Sequence, residues 1–245
     1  MDATQPYWLT AFLDFPAGEF DRGAAFWSQA TGWPLSPTRG EHDEFSSLVP
    51  PDGADYLRLQ RLGDGETRVH LDVHVADPED AAIAAQERGA SVVRQVNPGL
   101  VVLASPAGFE FCLVRQPRDT VPAAPHWPGG HRSRVSQVCL DIPPKSHAEE
   151  LAFWAGTLHG EIQASPGRPE LAWIEPAGSF PLQVVTQRLA LAGLMRGHLD
   201  IASDDRAAEV ERLRRQGALV RAVRSDRTVL EAPGGTSLCV LDRAP

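Results

Sequence analysis

Lysine is almost missing from this chain of 245 residues: Lys145 stands alone among 23 Lys and Arg residues. With 32 Asp and Glu the formal net charge is −9. That sign argues against a nucleic-acid surface and against an anionic membrane surface as partner. Cysteine is also scarce. Three residues, Cys112, Cys139 and Cys239, form no even disulfide framework and no C-x-x-C metal pattern. No run approaches the roughly 18 consecutive apolar residues of a membrane span. The start, Met1-Asp2-Ala3-Thr4-Gln5-Pro6, lacks the basic region and apolar stretch of a signal peptide, so the cytoplasm is the expected location. Arginine in place of lysine, with abundant Ala, Gly and Pro, suggests a GC-rich bacterial genome.

What is present is a long internal repeat. Ala25-Phe26-Trp27 returns as Ala152-Phe153-Trp154, and Gln60-Arg61-Leu62 as Gln187-Arg188-Leu189, each 127 residues later. His70-Leu71-Asp72 returns as His198-Leu199-Asp200 and Gly89-Ala90 as Gly217-Ala218, each at 128. Pro106, Gly108 and Cys112 return as Pro233, Gly235 and Cys239 at 127. Solenoid repeats run about 20–50 residues, so this period is that of a domain. The reading is a duplicated domain: domain 1 over 1–118, a Pro/Gly-rich linker over 119–131 and domain 2 over 132–245.

Apolar alternation and turn residues predict the same element order in each half. In the first, Trp8 to Phe15 reads as a strand and Glu19 to Ala30 as a helix stopped by Gly32. Phe45 to Val49, Tyr56 to Leu62 and Val69 to Val75 read as strands. Asp77-Pro78 opens a second helix that Gly89 closes. Strands over Ser91–Val96, Leu100–Ala104 and Phe109–Val114 complete the half. In the second half, Ser146 with Glu149 reads as a capping box, and Ser203 or Asp204 as the cap of the last helix. Phe26-Trp27, Phe153-Trp154 and the cysteines read as core. Asp14 and Asp141 read as capping or turn residues, Arg212, Arg214 and Arg215 as a solvated helix face, and Trp127 as part of a spacer.

This layout resembles the vicinal oxygen chelate superfamily, which includes glyoxalase I, bleomycin-resistance proteins and extradiol dioxygenases. The likeness rests on Leu13-Asp14 before the Ala25-Phe26-Trp27 helix, on Val69-His70-Leu71-Asp72-Val73, on Glu87-Arg88-Gly89-Ala90, and on Ser105 through Leu113. In the second half it rests on Cys139-Leu140-Asp141, Ala152-Phe153-Trp154, His198 to Ile201 and Ala232 to Cys239. The resemblance implies an α+β fold of two tandem glyoxalase-like domains. Each would pair two βαβββ modules into a curved, half-open sheet with helices on the outer face and a cavity on the other.

It also implies where metal ligands would stand. Family slots for His and Glu fall on Thr10 and Gln137, near Gln60 and Gln187, on His70 and His198, and on Cys112 and Cys239. Thr and Gln are weak neutral donors, so the expectation is no metal and no cofactor; the alternative is a divalent metal near His70. His70 and Glu110 are the catalytic candidates. The ligand-binding candidates are Trp8, Thr10, Phe12, Tyr56, Gln60, His70, Cys112, Gln137, Gln187, His198 and Cys239. His74 and Glu110 have no counterpart in the second half, where Ala202 and Ser237 stand, so an active cavity is expected in domain 1.

Two functions stay open: a small-molecule binding protein of the bleomycin-resistance kind with a degraded metal site, and a metal-dependent glyoxalase-type lyase, isomerase or dioxygenase acting on vicinal oxygens. The expected partner is a small molecule. The two domains would imitate a homodimer through an internal pseudo-twofold, as a monomer or within a homodimer.

Overall fold

A computed structural model describes residues 2–117, 120–176 and 178–245. The expected domain end at Arg118 and the linker's first residue, Asp119, lie outside the described residues. The first half runs β1 (Trp8–Pro16), α1 (Ala17–Thr31), β2 (Phe45–Ser47), β3 (Leu57–Leu62), β4 (Arg68–His74), α2 (Pro78–Glu87), β5 (Ser91–Asn97), β6 (Leu100–Ala104) and β7 (Glu110–Val114). The second runs β8 (Ser133–Ile142), α3 (His147–Thr157), β9 (Gly160–Ala164), β10 (Leu171–Pro176), β11 (Gln183–Arg188), β12 (Arg196–Ser203), α4 (Arg206–Arg215), β13 (Leu219–Val223), β14 (Arg227–Glu231) and β15 (Ser237–Asp242).

Each half forms one mixed sheet. The first has the order β2-β3-β1-β4-β7-β6-β5 and the second β13-β14-β15-β12-β8-β11-β10-β9. The pairs β4/β7 and β12/β15 are parallel, while the outer ladders β5/β6/β7 and β13/β14/β15 are antiparallel. Neither sheet closes into a barrel, as the sequence reading of the fold expects. The second half has β9 where the first has only the isolated bridge Leu35↔Leu48.

Alternation along these strands decides which side carries chemistry. On β7, Phe111 and Leu113 are fully buried, and Phe111 packs edge-on against Phe153 and Trp154 of α3 at 5.8 and 5.2 Å. The opposite parity, Glu110 and Cys112 on β7 with Leu100, Val102 and Ala104 on β6, is half-exposed. β14 repeats the pattern: Arg227, Val229 and Glu231 are half-exposed while Thr228 and Leu230 are buried.

The compact units of the chain do not follow the halves. Unit 1 comprises Met1–Ala11, His70–Arg118 and Val138–Gly197; unit 2 comprises Phe12–Val69, Asp119–Gln137 and His198–Pro245. Within unit 1, α3 from the second half packs on β7 from the first. Within unit 2, α4 from the second half meets the end of α1 from the first, where the Arg212 guanidinium donates to the Gln29 and Ala30 carbonyls at 3.1 and 2.7 Å.

Pseudo-equivalent contacts in the two units are solved with different residues. In unit 1 the Glu150 carboxylate, fully buried on α3, accepts from the Ala107 backbone N–H and from the Trp154 indole N–H at 2.9 Å. In unit 2 the matching positions are Gly23 and Gly234, whose backbones meet directly. A Cβ on Gly234 would lie 3.0 Å from Gly23 Cα and 2.8 Å from the Phe15 ring. The Trp27 indole N–H then has no acceptor among the described residues.

Burial pushes the Glu150 carboxyl above its ordinary value of 4.5, against the hydrogen bonds from Ala107, Ser105 and Trp154 that lower it. A raised folded value means stability that is present below the unfolded value and lost as pH rises through the folded one. The native chain is therefore expected to lose stability relative to Glu150→Gln between pH 4 and pH 7. Urea unfolding of both proteins at the two pH values checks this; an unchanged difference contradicts it.

Several local expectations are corrected. Ser146 makes no side-chain cap: its φ and ψ of −99° and −3° are helical, and a capping hydroxyl needs an extended backbone. Asp205, extended at φ −140°, caps α4 by accepting from the Ala208 N–H at 2.9 Å. Asp14 is no turn residue but a fully buried carboxylate bonded to Arg68 at 3.0 Å, and Asp141 lies 3.8 Å from Arg196. Arg214 and Arg215 are on a solvated face, whereas Arg212 is drawn inward. It chelates the buried Glu209 through two nitrogens at 2.7 Å and lies 3.5 Å from the Trp127 ring centre. Glu209 also meets His131 Nε2 at 2.9 Å, so Trp127 and His131 tie the segment before β8 to α4.

Candidate functional site

Two clusters of ligand-type side chains form at pseudo-equivalent positions, one in each unit. In unit 1 they are His70 and Asp72 on β4 and Cys112 on β7; in unit 2, His198 and Asp200 on β12 and Cys239 on β15. Within each cluster the ligand atoms all lie within 4.8 Å of one another. The fold builds the trio simply. His and Asp stand two apart, so they share a strand face, and the parallel neighbour sets Cys112 opposite Asp72 and Cys239 opposite Asp200.

In unit 2, His198 Nε2 lies 3.6 Å from Cys239 Sγ and 3.3 Å from Asp200 Oδ1. Both partners thus address the same ring nitrogen. A thiol–imidazole–carboxylate relay would place them on opposite nitrogens, so this is not a nucleophile triad. With Asp200 and Cys239 gathered at one ring nitrogen, the trio is a group that could hold one metal ion. With bonds of about 2.0–2.1 Å to nitrogen and oxygen and about 2.3 Å to sulfur, tetrahedral zinc spaces N and S about 3.6 Å apart and N and O about 3.4 Å apart. The donor types and the two observed spacings fit such an ion. In unit 1 the His70 Nε2–Asp72 Oδ1 distance is wider, 3.8 Å.

All six residues are buried except Cys112, which is half-exposed. Burial pushes the Cys239 thiol up, opposed by its contact with His198. Asp72 and Asp200 are not among the site residues chosen from the sequence. Their signal was present: each shares the parity of its histidine within a repeated His-Leu-Asp.

The remaining candidates are distributed as follows. In unit 1, Thr10 Oγ1 is fully buried 3.0 Å from His74 Nε2, Trp8 is buried, Glu110 is half-buried beside Cys112 on the open face, and Gln187 is half-buried on β11. In unit 2, Phe12 stacks edge-on with Phe45, and Tyr56 is fully buried, its hydroxyl donating to the Val135 carbonyl at 2.7 Å. Burial pushes the Tyr56 hydroxyl well above its usual range. Gln60 is half-buried opposite Phe45, and Gln137 is buried on β8.

A family model described as "Glyoxalase-like domain" matches residues 10–114 and again 137–241. No curated protein matches. Among solved structures the chain is similar to the Mn(II)-bound glyoxalase from Novosphingobium aromaticivorans: TM-score 0.65 and 15% identity, covering 97% of this chain and 81% of that one. Homoprotocatechuate 2,3-dioxygenase from B. fuscum gives TM-score 0.64 and 13% identity over 100% and 74%. 2,2',3-Trihydroxybiphenyl 1,2-dioxygenase from Sphingomonas wittichii gives 0.59 and 16% over 97% and 89%. At these identities the likeness is one of fold, the vicinal oxygen chelate fold. No helix among the described residues is long and apolar enough to cross a membrane.

Proposed function

The chain belongs to the glyoxalase-like domain family, carrying the domain twice, and from that premise we propose that it binds a small molecule with oxygens on adjacent carbons at His–Asp–Cys metal sites. The observation that carries this reading is the convergence of Asp200 and Cys239 on one nitrogen of His198 at 3.3 and 3.6 Å. His70, Asp72 and Cys112 would hold the ion in unit 1 and His198, Asp200 and Cys239 in unit 2. Thiolate, imidazole and carboxylate together suit zinc, and three protein ligands leave a position open for substrate.

When bound, such an ion supplies Lewis acidity to substrate oxygens. The chain's own residues supply the rest. Glu110 stands two residues from Cys112 on the same half-exposed face and is placed to take or return a proton in unit 1. Ser237 holds that place in unit 2 and cannot act as a base at neutral pH, and Glu231 opposite it is held by Arg221 at 2.9 and 3.0 Å, which favours lyase or isomerase chemistry in unit 1 and binding in unit 2. One His per cluster falls short of the two that non-haem iron oxygenases use, so ring cleavage with oxygen is the less favoured chemistry.

A metal-independent binding role is the second reading. It is supported by the Cys239–His198 contact, which partners the buried thiol without an ion. Titrating chelator-dialysed, untagged protein with zinc decides between them. The expected result is one ion per cluster, with His198→Ala abolishing one and Cys112→Ser weakening the other. Absence of tight zinc binding, or binding unchanged by both substitutions, rejects the metal sites and leaves the second reading.

A further inference from the structure

A separate group of charged side chains, sharing no residue with either trio, lies in unit 2 where β2 meets β3. Ser47 pairs with Arg58 across the two strands, and Arg58 donates to Asp55 through Nε at 2.8 Å. Arg39, in the loop that leads into β2, donates to the Ser47 hydroxyl at 3.0 Å and to the Ser36 hydroxyl at 3.4 Å. Burial alone would raise the Asp55 carboxyl; Arg58, a hydrogen bond from Ser47 and the Arg39 charge together bring it below its ordinary value. Arg39 itself forms no ion pair among the described residues, and its charge stands close enough to Arg58 to feel it. The other acids of the loop face elsewhere. Asp43 accepts from the Thr38 hydroxyl at 3.0 Å, Glu44 accepts from the His42 N–H at 2.8 Å, and Glu41 is exposed. Two guanidinium groups thus share one carboxylate, and one positive charge is left over.

The second half shows that the fold does not need this group. Where β2 pairs Ser47 with Arg58, β10 pairs Trp173 with Val185. Leu182, fully buried, stands three residues before Val185 as Asp55 stands before Arg58. Arg58 is only 13% exposed. An ion pair at such a position is in general no more stabilising than apolar groups of similar size, so its presence in one half has a reason other than stability. Aromatic rings lie beside the charges. The Arg58 guanidinium is 5.9 Å from the Phe12 ring centre, and Phe12 stands edge-on to the half-buried Phe45 at 6.2 Å. Phe45 and Ser47 share one face of β2, the face on which Arg58 lies.

We propose that this group is a binding site for an aromatic carboxylate, with Arg39 holding the carboxylate and Phe45 lying against the ring. The single uncompensated charge matches a carboxylate and falls short of a doubly charged phosphate. A guanidinium also takes a carboxylate as a planar, two-bonded fork. The site uses no metal, so it stands whether or not the trios hold ions.

The test is isothermal titration of benzoate into chelator-dialysed full-length protein. Benzamide serves as the uncharged counterpart and inorganic phosphate as the other anion. Benzoate is expected to bind, and both comparison compounds to bind about tenfold or more weakly. Arg39→Gln, at an exposed side chain, is expected to weaken benzoate by a similar factor, and Arg39→Lys, which keeps the charge and loses the fork, to fall between. The double substitution Asp55→Leu, Arg58→Val installs the residues of the second half and is expected to stay folded and lose benzoate. Should that variant not fold, Arg39→Gln decides alone. Benzoate that fails to bind, or binds Arg39→Gln as tightly as the native chain, overturns the proposal. Benzamide bound as tightly as benzoate overturns the role of charge, and phosphate bound more tightly overturns the ligand class.

Discussion

Replacing Arg212 with methionine is expected to lower the unfolding free energy by about 3–5 kcal/mol, because it strands a buried carboxylate. Glu209 is fully buried and is held by two guanidinium nitrogens at 2.7 Å and by His131 Nε2 at 2.9 Å. Arg212 also caps the end of α1 through the Gln29 and Ala30 carbonyls and covers Trp127. Methionine keeps much of the apolar contact and none of the charge. The control is the Arg212→Met, Glu209→Met double substitution, which removes both charges. It is expected to recover part of the loss, since an ion pair replaced whole by apolar groups costs far less than one broken. Urea unfolding of the native chain, of Arg212→Met and Glu209→Met singly, and of the double variant gives the coupling energy. A single substitution costing under about 1 kcal/mol, the worth of an exposed pair, contradicts this account.

Gly234→Ala is expected to cost about 2–4 kcal/mol, combining backbone strain with overpacking. Gly234 has φ +88° and its Cβ would enter the Phe15 ring and the Gly23 backbone. Gly108 provides the comparison. It has the same φ of +88°, yet nothing lies within 4 Å of a Cβ there. Gly108→Ala therefore carries the conformational cost alone, about 1 kcal/mol. The difference between the two variants measures the close approach of α1 to the turn before β15. Equal melting temperatures would mean that the glycine pair is not a tight contact.

Much of the fold is legible in the chain because its signals are local. Asp77 does cap α2, accepting from the Glu79 and Asp80 N–H groups, and Gly32, Gly89 and Gly217 stand at helix ends with positive φ. Phe26, Trp27, Phe153 and Trp154 are core. The site was legible in part. His70, Cys112, His198 and Cys239 are marked by their return in the repeat, whereas Asp72 and Asp200 were passed over. Family slots pointed to Thr10 and Gln137 as the remaining donors. Thr10 is fully buried against His74, and in each candidate cluster the carboxylate comes from the histidine's own strand. Strand parity places His and Asp on one face about 7 Å apart, but only the parallel partner strand puts a sulfur opposite the Asp.

By itself the sequence determined that the domain is duplicated, the order of most elements, and which residues alternate along each strand. These follow from spacing, turn chemistry and backbone preference, all read within a few residues. Tertiary structure decided what touches what across the halves: α3 packing on β7, Arg212 reaching the end of α1, and Glu150 in one unit answering to a glycine pair in the other. It also decided that one histidine nitrogen in unit 2 meets both a carboxylate and a thiol. Such contacts depend on strand register and on the direction of each side chain, which no periodicity in the chain records.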